Sequence, residues 1–339
     1  MESHKPLLSF DLNQQIAEES SYEFHPKTFD DYLGQKELKT KLQLYCHAAK
    51  LRGEPLDHLL LFGPPGLGKT TLALIMAQVM GVNIKICNGP MLERTGDMVS
   101  LLSSLEPRDI LFIDEIHRMA IAVEEVLYNA MEHFRVDVII GQGPGAKSVN
   151  LSLHPFTLIG ATTKSGMISA PLQSRFGMSE RLDYYPDEEL QEIILQSAGF
   201  LGVHMPAQAA LIIARASRGT PRIAKKLLRR VRDFAQVNHN NQATEELVQQ
   251  ALSFLGIDQH GLTQLDHKII ATLHSHQGGP LGLETLASLV GEDSKTIEEV
   301  YEPFLMRKGF LERTPRGRQI PHKKFQELLL QQTEQQTIF

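Results

Sequence analysis

The stretch His58–Met80, HLLLFGPPGLGKTTLALIMAQVM, joins three signals of different kind. Leu59, Leu60 and Leu61 form a short apolar run bounded by turn residues, the pattern of a strand buried on both faces. Gly63 to Thr70, GPPGLGKT, fits G-x-x-x-x-G-K-[ST] in full. Thr71 to Met80 then reads as an apolar helix. Strand, glycine loop and helix in that order give the motif its chemistry. Gly66 and Gly68 let backbone N–H groups approach phosphates, and the helix N-terminus favours their charge. Lys69 is placed to reach the β- and γ-phosphates and Thr70 to ligate Mg²⁺, with Thr71 beside it in the first turn. ATP and Mg²⁺ are the expected cofactors.

Downstream, ILFIDE (Ile110–Glu115) is an apolar strand ending in two carboxylates. At a strand end beside a P-loop, Asp114 is expected to hold Mg²⁺ through water and Glu115 to act as general base. His117 reads as a packed or solvated neighbour. Strands HLLLF, NIKI, DILFI and FTLIGA alternate with helical patterns from Leu59 to about Leu182, which predicts a parallel α/β domain. From Asp187 to Leu255 the period is helical throughout. After RGTPR, the stripe Ile223, Leu227, Val231 and Phe234 marks a helix with Thr220 as N-cap and Pro221 in its first turn. From Thr263 the pattern gives three helices and two strand-like pieces, FLER and RGRQIP, joined by a Thr-Pro turn: a winged helix. The expected divisions are a mobile tail at 1–23, an ATPase domain at 24–185, a small helical domain at 186–258 and a winged helix at 259–339.

The bulk numbers agree. The chain has 339 residues, 42% hydrophobic and 22% charged, ample for a core. No apolar run nears the ~20 residues of a membrane span. No signal peptide is evident, and two cysteines, Cys46 and Cys87, suit a reducing cytosol. A net charge of −6 requires any nucleic-acid surface to be local.

Between the carboxylate strand and FTLIGA lies RVDVIIGQGPGAKSVNLSLHPF (Arg135–Phe156). Val136, Val138 and Ile140, then Val149, Leu151 and Leu153, alternate around a Gly/Pro-rich turn at Gly141–Gly145, the pattern of a β-hairpin. Alternation alone offers Ile139 and Leu151 for one face, with Val138 and Val149 for the other. An exposed apolar face here would be a docking surface.

P-loop, DEIH, GATT and SRFG in this order resemble the AAA+ ATPases. LFIDEIHR, EEVLYNAME, RGTPRIA, LLRRVRDFAQV and GFLERTPRGR resemble, within them, the RuvB family of Holliday-junction motors, from about Phe24 to His322. The resemblance implies a RecA-like AAA+ core, a small all-α lid and a C-terminal winged helix. It implies a cytoplasmic homo-hexamer that branch-migrates four-way junctions on duplex DNA, with RuvA at the 136–153 hairpin and the resolvase RuvC in the same complex. It places Thr162 and Thr163 as sensor 1, with Thr163 catalytic, Arg175 as an arginine finger for the neighbouring subunit, Arg222 as sensor 2 and Tyr185 against the adenine. Phe24, His25, Glu132, His133 and Phe134 join the nucleotide-binding positions. Two departures stand out: His25-Pro26 replaces the usual Arg-Pro, and Gln173 stands where a second arginine is common, leaving Arg175 as the finger of this segment.

Arg313, Arg316 and Arg318 surround Thr314-Pro315 and make a candidate phosphate grip. Glu298, Glu299 and Glu302 make the third helix of the winged unit acidic, a poor reader of bases, so the grip is expected to ignore sequence. The basic face Lys225, Lys226, Arg229, Arg230 and Arg232 stays open between solvent, subunit and DNA. Rival readings are a clamp-loader-type ATPase, which would lack the arginine wing, an unfoldase, which would need an aromatic pore loop, and an ATP-switched winged-helix regulator.

Overall fold

The computed structural model describes residues 24–140, 147–238 and 241–326. The expected tail at 1–23, the hairpin tip at 141–146 and the terminal 327–339 lie outside the described residues.

A five-stranded parallel sheet carries the first unit. Its strands are β1 (Leu59–Phe62), β2 (Ile84–Asn88), β3 (Ile110–Asp114), β6 (Thr157–Thr162) and β7 (Met178–Arg181), in the order β2-β3-β6-β1-β7. Sequence reading anticipated four of these. It missed β7, an edge strand of sequence MSER that pairs with β1 and is too short and too polar to leave an apolar signature. Leu59 and Leu61 face one core and Leu60 the other, all at 1% exposure or less, as a strand covered on both faces requires. On the first face α1 (Lys36–Arg52) contributes Leu38 and Leu42, and α2 (Lys69–Met80) contributes Leu72, Ile75 and Met76. That core continues into the lid through Leu190, Ile213 and Val231. The opposite face is covered by α3 (Thr95–Ser103) and α4 (Ile121–His133), with Leu172 of the short α5 (Ala170–Gln173).

Because β6 lies between β1 and β3, its end at Thr162 falls between the P-loop and Asp114. Open parallel sheets bind ligands outside such carboxyl ends.

The separate hairpin pairs β4 (Arg135–Ile140) with β5 (Lys147–Ser152). Its register sets Val136 opposite Leu151 and Val138 opposite Val149. Directly opposed residues share a face. Val138 and Val149 therefore lie with Leu151, not against it; the Ile139 backbone pairs with Ser148, and its side chain lies outside what is described. Val136 is buried, whereas Val149 and Leu151 are 44% and 38% exposed.

The lid comprises α6 (Asp187–Phe200), α7 (Ala207–Ala216), α8 (Pro221–Asn238) and α9 (Glu245–Phe254). The basic face of α8 is largely engaged: Lys225 donates to the Phe24 carbonyl, and Arg230 and Arg232 pair with Asp233. The winged unit has its own core around Ile269, Leu286 and Leu305. It comprises α10 (Gln264–Ser275), α11 (Leu283–Val290), a third helix and the wing β8 (Glu312–Thr314) with β9 (Gly317–Gln319). The third helix is interrupted. Ser294–Thr296 leads into a π turn at Ile297–Tyr301, then Glu302–Arg307. Pro303 has no N–H for the carbonyl one turn back, which suits a break of this kind. Thr263 and Asp266 close a capping box on α10, and buried Asp266 also pairs with Arg218 of the lid.

Candidate nucleotide site and nucleic-acid interface

The P-loop backbone takes positive φ at Gly63 (144°), Gly66 (79°) and Gly68 (100°), values open to glycine alone in comfort. The loop holds its lysine inward: Lys69 Nζ donates to the carbonyls of Gly63 and Pro64, both at 2.9 Å. Burial depresses the Lys69 pKa, opposed by the charges of Asp114 and Glu115. Thr70 and Thr71 follow at half burial in the first turn of α2.

Asp114 ends β3, and Glu115 follows with φ 49° and ψ 40°. A left-handed glutamate costs of order 1 kcal/mol and clusters at working sites. Gly89 makes room for it: a Cβ there would stand 2.5 Å from the Glu115 carbonyl. The Glu115 carboxylate pairs with Arg118 at 2.9 Å. Beside Asp114 in register lies Asn88, whose Oδ1 is buried with no hydrogen-bond partner among the described residues. Sequence reading passed over Asn88; its one signal was a polar residue ending a strand next to ILFID. Thr162 is fully buried; its hydroxyl accepts the Lys164 N–H and lies 2.9 Å from His117 Nδ1. His117 is thus a packed neighbour tied to the end of β6. Thr163 follows at half burial.

The lid closes over this edge. The Arg222 N–H reaches the Gly66 carbonyl at 3.3 Å, and the Arg222 charge opposes that of Lys69. Tyr185 is buried, and its hydroxyl donates to Tyr32 and toward the Leu67 carbonyl, beneath the P-loop. Burial drives the pKa of both phenols far up, so they stay neutral. Half-buried His25 follows Phe24, whose ring meets Phe200 edge-on at 6.0 Å. This set fits a nucleoside triphosphate with Mg²⁺. Among the described residues it offers a cradle of left-handed glycines, an ammonium held by loop carbonyls, and a carboxylate beside a buried amide oxygen with no hydrogen-bond partner.

Arg175 belongs to another surface. Its guanidinium donates to Pro171, pairs with Glu132 at 3.2 Å and lies 4.7 Å over the Tyr128 ring. None of these contacts involves the P-loop or the β3 carboxylates. Glu132 and His133 are exposed on this side, at the end of α4. Phe134 caps that helix at φ 51° and packs on Phe156 at 5.8 Å, a core contact.

At the wing, Glu302 is fully buried and accepts from Arg313 Nε at 2.6 Å and from Arg318 Nε at 2.7 Å. Glu298 adds longer pairs to both. Glu299 instead meets Lys164 of the ATPase unit at 2.8 Å. The acidic helix expected to repel phosphates is therefore spent on internal cations. Two of the three wing arginines are held by it, and Arg316, exposed, has no acidic partner among the described residues.

Sheet order, P-loop, β3 carboxylates, helical lid and winged helix together define a P-loop ATPase of the AAA+ class with a winged-helix unit. Residues 24–182 match the family model "Holliday junction DNA helicase RuvB P-loop domain", 185–258 the "RuvB AAA lid domain" and 259–328 the "RuvB C-terminal winged helix domain". The chain belongs to the RuvB family. It is 53% identical over 305 residues to the "Holliday junction branch migration complex subunit RuvB" of Staphylococcus aureus strains JH9 and Newman, covering 89% of this chain and 91% of theirs. The solved Thermotoga maritima RuvB Holliday junction branch migration motor is 47% identical with TM-score 0.79, covering 90% of this chain and 97% of that one. A solved variant of the same T. maritima protein gives TM-score 0.80.

Proposed function

We propose that this chain hydrolyses ATP to drive duplex DNA through four-way junctions, branch-migrating them in recombination and repair. The carrying observation is one chain that sets Lys69, Asp114 and Glu115 at a sheet edge closed by Arg222, and a winged helix against the same unit through Lys164–Glu299. Membership of the RuvB family supports the junction as substrate.

Thr70 and Asp114 would hold Mg²⁺, which when bound neutralises charge on the transferring phosphoryl group. Lys69 turns from the Gly63 and Pro64 carbonyls to phosphate oxygens. Glu115, released from Arg118, accepts a proton from the attacking water. Thr162 and Thr163 orient that water, with His117 fixing Thr162. Arg222 and Tyr185 hold the nucleotide from the lid side, with Phe24 and His25. Arg175, with Glu132 and His133 exposed near it and Phe134 packed at the end of the same helix, serves the site of the next subunit, so the working unit is a ring, a homo-hexamer in the cytoplasm. The exposed Val149 and Leu151 face of the hairpin supports a dock for RuvA, with RuvC in the same complex. Arg313, Arg316 and Arg318 grip backbone phosphates.

The test is dissociation of a synthetic four-way junction by the full chain, with and without RuvA. ATP-dependent conversion to duplex products is expected; hydrolysis that never moves a junction, with RuvA present, contradicts the reading.

A further inference from the structure

Between the lid and the winged unit lies a cavity of about 280 Å³. Four cations line it: Arg215 and Arg218 from the lid, Arg307 and Lys308 from the winged unit. Asp187 is the one carboxylate in the lining. Arg218 is committed, paired with buried Asp266 and lying 4.5 Å over the Phe304 ring. Arg215, Arg307 and Lys308 form no ion pair among the described residues.

The site is built rather than incidental. The Arg307 guanidinium lies 4.1 Å over the Tyr184 ring, which fixes its plane. It can lie there because position 219 is glycine, at φ 72°; a Cβ at Gly219 would collide with the guanidinium. Burial lowers the Arg307 pKa, opposed by Tyr184 and Asp187, with the neighbouring Arg218 charge adding to the depression.

We propose that this cavity binds a phosphate oxyanion, supplied either by a free polyphosphate or by the backbone of DNA. Three cations without an ion pair among the described residues face one carboxylate, and like charges brought together repel until an anion joins them. A guanidinium held in plane presents the paired donors that phosphate oxygens accept. The volume holds a group several times the ~30 Å³ share of a water molecule. No P-loop or wing residue lines it; Tyr185, which does, is shared with the lid side of the nucleotide site. An anion there would bridge Arg215 to Arg307 and Lys308, and so tie the lid that carries Arg222 to the unit that carries the wing.

The test uses the full chain saturated with MgADP, which fills the P-loop. One arm titrates pyrophosphate by calorimetry; the other measures duplex DNA affinity across salt concentrations. The variants are Arg307→Gln with Lys308→Gln, and Asp187→Asn. A free anion is the source if pyrophosphate binds, the double variant weakens it at least tenfold and Asp187→Asn tightens it. DNA is the source if pyrophosphate does not bind, while the double variant weakens duplex binding and reduces the slope of log affinity against log salt by about 1.8, two phosphate contacts. Asp187→Asn should then tighten DNA. The proposal is overturned if the double variant, with unchanged basal ATPase, alters neither arm. It is equally overturned if Asp187→Asn weakens binding as the double variant does, since packing damage and not charge would then be the cause.

Discussion

His117 Nδ1 lies 2.9 Å from the Thr162 hydroxyl, joining the turn after the β3 carboxylates to the end of β6. Thr162 already accepts the Lys164 N–H, so its own proton is free to go to an unprotonated Nδ1. Burial holds the His117 pKa below its ordinary 6.5, which keeps that nitrogen an acceptor near neutrality. Acidification through the depressed pKa puts a proton on Nδ1 and removes the bond. ATPase activity should therefore fall as pH drops below about 6.5. His117→Ala should lower kcat roughly fivefold at neutral pH, about 1 kcal/mol for one hydrogen bond, and lose that acid limb. The stability sign follows the same shift. Below 6.5 the unfolded chain binds more protons at this position, so stability rises with pH through the window, and the variant should lose that part of the slope. Kinetic pH profiles and thermal melts check both; an unchanged acid limb would remove His117 from the site.

Glu115→Gln should still bind ATP while hydrolysis falls by about 10²–10⁴-fold, because only proton acceptance is lost. Gly89→Ala should resemble it, since a Cβ 2.5 Å from the Glu115 carbonyl displaces that turn. Nucleotide titration beside turnover separates the cases; loss of binding equal to loss of turnover would discard the base assignment.

Lys164 carries a second link, its side chain to Glu299 of the winged unit and its backbone to Thr162. The bond raises the Lys164 pKa and lowers that of Glu299. Both side chains are solvent-exposed, so Glu299→Gln should leave the melting temperature and basal ATPase unchanged. Its expected effect is a smaller stimulation of ATPase by DNA. Equal stimulation in variant and wild type would show that the contact does not couple the two units.

At the wing, a single triple substitution would mix two effects. Arg316→Ala should weaken duplex binding on every sequence alike and reduce the salt slope by about 0.9, without a change in melting temperature. Arg313→Ala should also destabilise the winged unit, because the buried Glu302 carboxylate then keeps Arg318 alone; losing one charge-assisted hydrogen bond costs ~1.5–3 kcal/mol. Salt titrations and melts distinguish them. A loss confined to one base sequence would revive a regulator.

Legibility in the sequence followed range. GPPGLGKT, ILFIDE and the alternating hairpin are local patterns, and each sits where local reading put it. Glu302 read as part of an acidic helix that would repel phosphates because its partners, Arg313 and Arg318, reach it only when the wing folds over the third helix. Lys164 with Glu299, and Arg218 with Asp266, join different units and leave no periodicity to find. Asn88 needed the β2–β3 register to show itself beside Asp114. Hairpin faces likewise came from the pairing, which set Val138 opposite Val149 on the face of Leu151.

The central claim is that ATP is hydrolysed between subunits, Lys69 and Glu115 from one and Arg175 from the next. Its most direct measurement mixes Lys69→Ala with Arg175→Ala protein and follows ATPase and junction migration against the mixing ratio. Each variant alone should be inactive, since a missing finger is typically worth ~10³–10⁵ in rate. Mixed rings should regain activity, because an Arg175→Ala subunit brings an intact P-loop and a Lys69→Ala neighbour an intact finger. No recovery at any ratio, with co-assembly demonstrated, would contradict the shared site.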